Sequence, residues 1–406
     1  MIGGRLERQL EAGSQEDVES EATPAGPMVA EPSSMHLPTY ASRYTDIPRL
    51  NRLKFIAKVC PKLRVPALEL AINHVKTTYN VKLYDELYKT LCAAIDKKEA
   101  QMGMPKGEAA AAAASTSKDT AGKRSDAGYI KQGPVPYDAF WVEDNTMEST
   151  LLQQELDAEL NYKKANSGSA KVRRVLEEIG DYHLKSHNLK MAVKYYARAR
   201  QYCTSSDNVI NMFRNLIRVS IYMANWWHVL TYIEDAKKYA FGFENLAEKV
   251  PPRLNCAAGL ANMGLKIYKT AAHCFLLTPF DRYDFDNIVA PEDVSYYAGL
   301  CALATLDPEM LELGVINSEG FRPFFELSPQ VLSLLSTFNA GDCDHCLLLL
   351  HQIEDHVRLD YYMAPHLDTL FGMIKARIQK KRVPAAPIAG KVTQRLRVVN
   401  ERRIMN

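Results

Sequence analysis

The residues of this chain that most resemble metal ligands lie close together near its C-terminal end. Cys343-Asp-His-Cys346 is followed by His351 and His356. A tetrahedral zinc site needs four ligands that converge on one point, usually as two close pairs brought together by a loop or by the fold. Residues 347–350, all leucine, separate these ligands and predict one continuous helix, which cannot wrap four ligands around an ion. We therefore expect a packed helix here and no zinc site.

A second pair of histidines has the spacing of a zinc-protease helix. His183 and His187 are four residues apart and so share one helical face. That motif also needs a glutamate directly after the first histidine as general base, and Leu184 occupies the position. The sequence contains no G-x-x-x-x-G-K-[ST] phosphate loop, no G-x-S-x-G elbow and no G-x-G-x-x-G fingerprint. We predict that the chain is not an enzyme and uses no cofactor, metal or small-molecule substrate.

Three adjacent residues, Trp226-Trp227-His228, are candidates for contact with a partner protein. Neighbouring positions of a helix point about 100° apart, so one tryptophan ring can be buried while the other faces a neighbour or solvent. Packing between helical repeats is the simpler interpretation. The alternative is an anchor for a partner, because tryptophan is enriched at the energetic centres of interfaces.

The C-terminal segment is basic. It begins with Lys380-Lys381-Arg382, and further arginines follow at 395, 397, 402 and 403. Such a segment is compatible with a nuclear-localisation patch or with a non-specific contact to nucleic acid. No aromatic residue after Phe371 is available to stack on bases, so we favour a solvated tail over nucleic-acid binding.

Most of the chain has apolar residues at helical spacing, which predicts the helices that position these residues. Three segments rich in polar or helix-breaking residues flank or interrupt this pattern. Residues 1–40 and 102–136 are rich in small and polar residues, which predicts disorder and a flexible linker respectively. We expect order to begin near residues 40–44, and the last helices to span 322–327, 329–338, 346–357 and 361–378. The predicted segments are a disordered N-terminus (1–40), a helical block (41–101), a linker (102–136), tetratricopeptide-like repeats (137–290), a further helical region (291–378) and a basic, disordered tail (379–406).

The repeat region is identified by a weak internal similarity. Residues 188–199 are echoed by residues 225–236, 37 positions later, and by residues 268–275 about 42 positions further on. Each copy places a small residue about one turn before an aromatic ring, as in Ala271 and Phe275. A small side chain lets two helices approach and the ring fills the groove, which predicts stacked helical hairpins in an all-α solenoid. The unequal spacing favours tetratricopeptide-like hairpins over a regular array.

Composition and charge exclude several classes of protein. The 406 residues carry a net charge of +2, with 47% hydrophobic and 24% charged residues, as in ordinary globular proteins. The first residues lack the apolar core of a signal peptide, and no run of about 18 apolar residues predicts a membrane span. The eight cysteines lie mostly in apolar helical patterns, as expected of reduced thiols. We expect a protein of the cytoplasm and nucleus with no membrane partner.

Several stretches resemble the COP9 signalosome subunit 1 family, which is related to a proteasome lid subunit. Leu53-Lys-Phe-Ile-Ala57 is similar to the family's N-terminal helical block, and Tyr195-Tyr-Ala-Arg-Ala-Arg200 to its first hairpin. The most specific match is Val209-Ile-Asn-Met212 together with Asn225-Trp226, which favours the signalosome over the proteasome relative. Tyr362-Met-Ala-Pro-His366 extends the resemblance, which covers about residues 40–376.

The resemblance implies an N-terminal helical-repeat arm followed by a PCI domain, which is a helical stack closed by a small winged-helix module. Residues 291–378 are then the helical part of that domain. The winged helix is expected after Ile378, where the sequence has no match, so we expect it to be missing. The family's complex removes the ubiquitin-like protein NEDD8 from cullin subunits of ubiquitin ligases, by a metalloprotease in a different subunit.

The function implied by the resemblance is that of a non-catalytic scaffold subunit. Its expected partners are other signalosome subunits and components of cullin-RING ligases. One alternative is a truncated regulatory form, or a proteasome-lid-like subunit, that binds partners through its helical repeats without ring assembly. Another is a nucleic-acid-binding adaptor that relies on the basic tail.

Overall fold

The structure, a computed structural model, describes residues 35–101, 136–285 and 288–382. Every regular element in these ranges is helical and none is a strand, which confirms the all-α prediction. The longer helices are α1 (Leu37–Ser42), α2 (Asp46–Val59), α3 (Arg64–Val75), α4 (Val81–Gln101), α5 (Ala139–Asn166), α6 (Ser169–Lys185), α7 (Leu189–Ala199), α8 (Ser206–Tyr222), α9 (Trp226–Phe241), α10 (Asn255–Gly264), α11 (Tyr268–Leu276), α12 (Pro291–Thr305), α13 (Arg322–Leu327), α14 (Pro329–Ala340), α15 (Cys343–Arg358) and α16 (Leu367–Arg382). Shorter helical turns span Arg200–Tyr202, Glu244–Ala247, Val250–Arg253, Pro308–Leu311, Glu312–Ile316 and Ala364–His366.

Helices α1 to α4 form an N-terminal block with its own hydrophobic core. Helix α2 buries Leu50, Leu53 and Ile56, as their helical spacing predicts. It ends at Val59 because the residue before a proline is driven out of the helical region, and Cys60 has extended backbone angles.

Order in the N-terminal block begins earlier than predicted. Helix α1 starts at Leu37, inside the segment 1–40 that we expected to be disordered. Leu37 and Tyr40 are buried against α2 and α3, so this short helix has an apolar face that the polar composition of residues 1–34 hid. Residues 1–34, 102–135 and 383–406, which include nearly all of the predicted linker and tail, lie outside the described ranges.

The three helical hairpins α6–α7, α8–α9 and α10–α11 share one type of turn. Two residues after the first helix of each hairpin, the backbone adopts a positive φ, at His187, Ala224 and Lys266. The next N–H then bonds to the carbonyl five residues earlier, as from Asn225 to Ser220 at 3.0 Å. This is the hydrogen bond of a Schellman cap, which satisfies the end of one helix before the next begins. The turns are 37 and 42 residues apart, which confirms the predicted repeat.

In two of the hairpins, a glycine of the first helix packs against an aromatic ring of the second helix. A β-carbon on Gly180 of α6 would lie 2.6 Å from Cε1 of Tyr196 in α7, and one on Gly259 of α10 would lie 2.6 Å from Cδ1 of Phe275 in α11. Both glycines stand seven residues before the positive-φ residue of their hairpin. For Ala271 and Phe275 the predicted small-plus-aromatic pattern is therefore completed by a glycine on the facing helix, whereas in α7 the ring at the crossing is Tyr196 and not Tyr195 as the repeat predicts.

Helices α12 to α16 continue the hydrophobic core of the hairpins. Helices α13, α14 and α15 lie where the apolar spacing predicts them. The last helix begins at Leu367 and not at residue 361, because Asp360 diverts the backbone. Its Oδ1 accepts N–H bonds from Tyr362 at 3.0 Å and Met363 at 2.7 Å, which holds a loop in place of a first helical turn. In the described part of the chain, no helix combines the length and apolar character needed to cross a membrane.

Candidate functional site

The histidines and cysteines near residue 343 are dispersed around one helix. Helix α15 runs unbroken from Cys343 to Arg358, as predicted. Cys346 is fully buried in the core, whereas the side chain of His351 is 87% exposed. His356 packs its ring on Tyr296, 5.3 Å away. Within the described residues, no group of three or more His, Cys, Asp or Glu side chains is placed to hold a metal ion.

His183 and His187 lie at the end of α6 and in the turn that follows it. His183 is buried in α6 and stacks on the ring of Tyr195 at 5.2 Å. His187 lies in the turn after α6 at a φ of 58°. Burial lowers the pKa of both imidazoles, which favours their neutral forms. The His183 ring therefore contributes to packing between the two helices of the first hairpin.

The strongest polar feature of the structure is a buried ionic cluster at Arg52 of α2. Arg52 is only 1% exposed. Its Nη2 lies 3.0 Å from Oδ2 of Asp293, at the start of α12, and 3.6 Å from Oδ2 of Asp360, in the loop before α16. The two carboxylates come from distant parts of the sequence, so the cluster joins the N-terminal block to the C-terminal helices.

Tyrosines enclose the Arg52 guanidinium. Its central carbon lies 4.0 Å from the ring centroid of Tyr44 and 5.0 Å from that of Tyr362, within the range of cation–π attraction. The Tyr44 hydroxyl donates to Asp293 at 2.7 Å, and the Tyr297 hydroxyl donates to Asp360 at 2.7 Å. Arg52 Nε and Nη1 have no hydrogen-bond acceptor among the described residues, so the ring faces supply the remaining electrostatic contact.

Burial sets the electrostatics of this cluster. It raises the pKa of Asp360, although Arg52 opposes the shift. It also raises the pKa of the Tyr44 and Tyr297 hydroxyls well above the usual value, so both remain proton donors. Sequence reasoning missed this cluster. The available signal was a charged residue, Arg52, placed between Leu50 and Leu53 on an apolar helical face.

The structure divides the predicted contact residues Trp226, Trp227 and His228 among different environments. Trp226 is half-buried and packs on Gly264 and edge-on to Tyr362, at 6.3 Å between ring centroids. His228 is half-buried, and burial lowers its pKa. Trp227 is 69% exposed. Packing between repeats thus accounts for Trp226, and only Trp227 presents its ring to solvent.

The basic residues Lys380, Lys381 and Arg382 are the last turn of α16, not the start of a disordered tail as predicted. The Lys381 ammonium donates to the carbonyl of Phe338 at 2.7 Å, at the end of α14, and lies over its ring. A cation at the C-terminal carbonyls of a helix is stabilising. Arg382 pairs with Asp344 of α15. These contacts extend the helix beyond residue 378, where the apolar pattern ends.

Comparison with known proteins supports the same architecture. Residues 138–313 match the family model of the 26S proteasome subunit RPN7. The chain is 38% identical over 377 residues to COP9 signalosome complex subunit 1b of Drosophila melanogaster, covering 86% of this chain and 70% of that protein. It is 29% identical to COP9 signalosome complex subunit 1 of Arabidopsis thaliana, covering 84% of this chain and 70% of the relative.

The family model spans helix α5, the three hairpins and helix α12. An identity of 38% over 86% of the chain is sufficient to establish common descent and a common fold. The chain therefore belongs to the COP9 signalosome subunit 1 family.

Proposed function

We propose that this chain is a non-catalytic scaffold subunit of a COP9 signalosome. It binds other signalosome subunits and components of cullin-RING ligases, and the removal of NEDD8 from cullins is carried out by another subunit. The chain performs this scaffold role in the cytoplasm and the nucleus, without a nucleic-acid or membrane partner. Family membership supports this proposal.

The observation that carries the scaffold role is the Arg52 cluster. A helical arm can hold its partner proteins in fixed relative positions only if its own parts are firmly attached to one another. Arg52 joins the N-terminal block to Asp293 and Asp360, and the ion pair between Arg43 and Glu292, whose side chains are 37% and 31% exposed, lies at the same junction.

Trp227 is the residue we assign to partner contact. Four residues earlier, Met223 in the α8–α9 turn is 37% exposed, and Ile267 in the next hairpin turn is 44% exposed. Solvent-facing aromatic and aliphatic side chains at successive turns are suited to a protein interface, in which buried tryptophans contribute a large share of the binding energy.

Co-purification of the tagged full chain from cells tests the proposal. We expect stoichiometric recovery of signalosome subunits, and a loss of one or more of them with Trp227→Ala. Phe241→Ala is the matched control, because Phe241 is an equally exposed aromatic residue, 70%, at the other end of α9. Recovery of proteasome lid subunits, or of ligase components alone, would instead support the proposed alternatives.

The non-catalytic role needs a separate test. We expect the purified chain alone to release no NEDD8 from a modified cullin, while the assembled complex does so. Release by the isolated chain at a rate comparable with that of the complex would contradict the proposal. Fractionation of cells into nuclear and cytoplasmic extracts, followed by detection of the chain, tests its location.

A further inference from the structure

Helix α5 exposes four large apolar side chains along its length. Phe140 is 80% exposed, Met147 66%, Leu151 64% and Tyr162 62%. At 100° per residue, these positions fall within about 60° of one another around the helix axis. With a rise of 1.5 Å per residue, they extend over about 33 Å. We call these four residues the α5 stripe.

The spacing of the α5 stripe is regular. Phe140, Leu151 and Tyr162 are 11 residues apart, and Met147 is 11 residues before the exposed Ala158. An 11-residue repeat has 3.67 residues per turn, close to the 3.6 of a straight helix, so the stripe stays on one face throughout. Such periodicity is typical of a helix that packs against a second helix along its whole length.

The opposite face of α5 is the one that packs on the rest of the chain. Asn145 and Leu160 are its buried residues. Asn145 Nδ2 donates to the carbonyl of Thr78 in the N-terminal block at 2.9 Å, and Leu160 belongs to a core shared with α6. The stripe is therefore not needed to hold α5 in place. Single exposed apolar residues are common in proteins, but a periodic row of them indicates an interaction site.

Acidic side chains border the α5 stripe. Glu143, Asp144, Glu148 and Glu155 are all exposed and lie within about 80° of the centre of the stripe. Among the described residues, none of the four forms an ion pair with a basic side chain; the single ion pair within α5 joins Lys163 to Glu159. The surface thus combines an apolar row with an unneutralised acidic rim.

We propose that the α5 stripe is the docking site of an amphipathic helix from a partner protein. The apolar residues of that helix pack on the stripe, and lysines or arginines beside them face the acidic rim. Charge argues against a second copy of this chain as the occupant. Glu148 and Glu155 flank Leu151, so symmetric pairing of two α5 helices would bring carboxylates together. The inference stands on α5 itself and does not require the proposed signalosome role.

A pair of synthetic peptides tests this inference. Each has about 25 residues, enough to span the stripe as a helix, with leucines at the 11-residue spacing of α5. One carries lysines beside the leucines and its twin carries glutamates. Binding of each fluorescent peptide to the purified full chain is followed by anisotropy. We expect the lysine peptide to bind, more weakly as salt increases, and the glutamate twin not to bind.

Two variants locate the binding surface. Met147→Glu combined with Leu151→Glu should weaken binding of the lysine peptide by roughly tenfold to a hundredfold. Glu148→Gln combined with Glu155→Gln should weaken it less and reduce its salt dependence. Leu313→Glu is the matched control, since Leu313 is 73% exposed on a different part of the chain, and it should bind as the parent does. Circular dichroism checks that each variant keeps its helix content.

Several results would overturn the inference. They are absence of binding by both peptides, equal binding by both, and unchanged binding by the Met147→Glu, Leu151→Glu variant. The inference would also fail if the parent chain self-associates in sedimentation experiments and the Met147→Glu, Leu151→Glu variant does not. The occupant of the stripe would then be a second copy of the chain. Since the assay needs neither signalosome subunits nor a cullin, its failure is distinct from failure of the proposed function.

Discussion

Arg52 and Asp293 form a buried ion pair across 241 residues of sequence, with Nη2 3.0 Å from Oδ2. A buried ion pair contributes little net stability relative to apolar residues of the same volume. Removal of one partner is different, because it leaves the other charge buried and uncompensated. The pair therefore makes the attachment of the N-terminal block sensitive to single substitutions.

Replacement of Arg52 tests this sensitivity. Arg52→Met keeps much of the side-chain volume but leaves Asp293 and Asp360 without their cation. We expect a loss of roughly 3–5 kcal/mol in the free energy of unfolding, measured by urea denaturation. Arg43→Met is the control at the same junction, because its pair with Glu292 is partly exposed to solvent, and it should cost no more than about 1 kcal/mol. Equal losses in the two variants would contradict the role of the cluster.

The glycine–aromatic crossings should not tolerate a methyl group. Gly180→Ala places a carbon 2.6 Å from the Tyr196 ring, so the two helices must separate or the ring must move. We expect a destabilisation of about 1–3 kcal/mol by thermal or urea unfolding. Gly372→Ala is the counterpart, since a β-carbon there meets no atom within 4 Å in α16, and it should stabilise by about 0.5–1 kcal/mol. A neutral Gly180→Ala would show that the crossing is loosely packed.

The repeated turns can be improved at Ala224. This residue has a φ of 52°, in the left-handed region where a β-carbon is strained. Ala224→Gly should stabilise the protein by up to about 1 kcal/mol, the relief of strain being partly offset by the greater freedom of glycine in the unfolded chain. The reverse change, Gly341→Ala in the α14–α15 turn at a φ of 84°, should destabilise by about 1 kcal/mol. Unfolding shifts of the same sign would refute this account.

The free energy of unfolding should decrease as the pH is lowered, partly because of His366. Burial lowers the pKa of this imidazole to about 4, against 6.5 when unfolded, and Lys266 contributes to the shift. The unfolded state therefore binds the proton first, and stability is lost as pH falls from about 6.5 towards 4, by about 3 kcal/mol in total. His366→Gln should reduce this slope in unfolding curves recorded between pH 7 and 4. If the parent and the variant show the same slope, His366 does not titrate as described.

Which helices form was largely predictable, because helical apolar spacing is a local property. The positions of α13, α14 and α15 follow from it. The start of α16 could not be predicted in this way, because it depends on the Asp360 side chain accepting hydrogen bonds from backbone N–H groups. Aspartate can do this in many structural contexts, so its presence in the sequence does not identify a helix boundary.

The sites were less predictable than the helices. The pattern around Arg52 shows a charge on an apolar face but not its carboxylate partners, which are close only in the folded chain. The paired tryptophans had two interpretations, and exposure distinguishes Trp226 from Trp227.

The position of Arg52 and its partners has a consequence for biosynthesis. At a translation rate of roughly 5–20 residues per second, Asp293 is made about 12–50 seconds after Arg52, and Asp360 is made later still. During this interval the Arg52 guanidinium lacks both of the carboxylates that neutralise it in the folded chain. The ionic attachment of the block is thus a late event in synthesis, because it cannot form until Asp293 and Asp360 have been made.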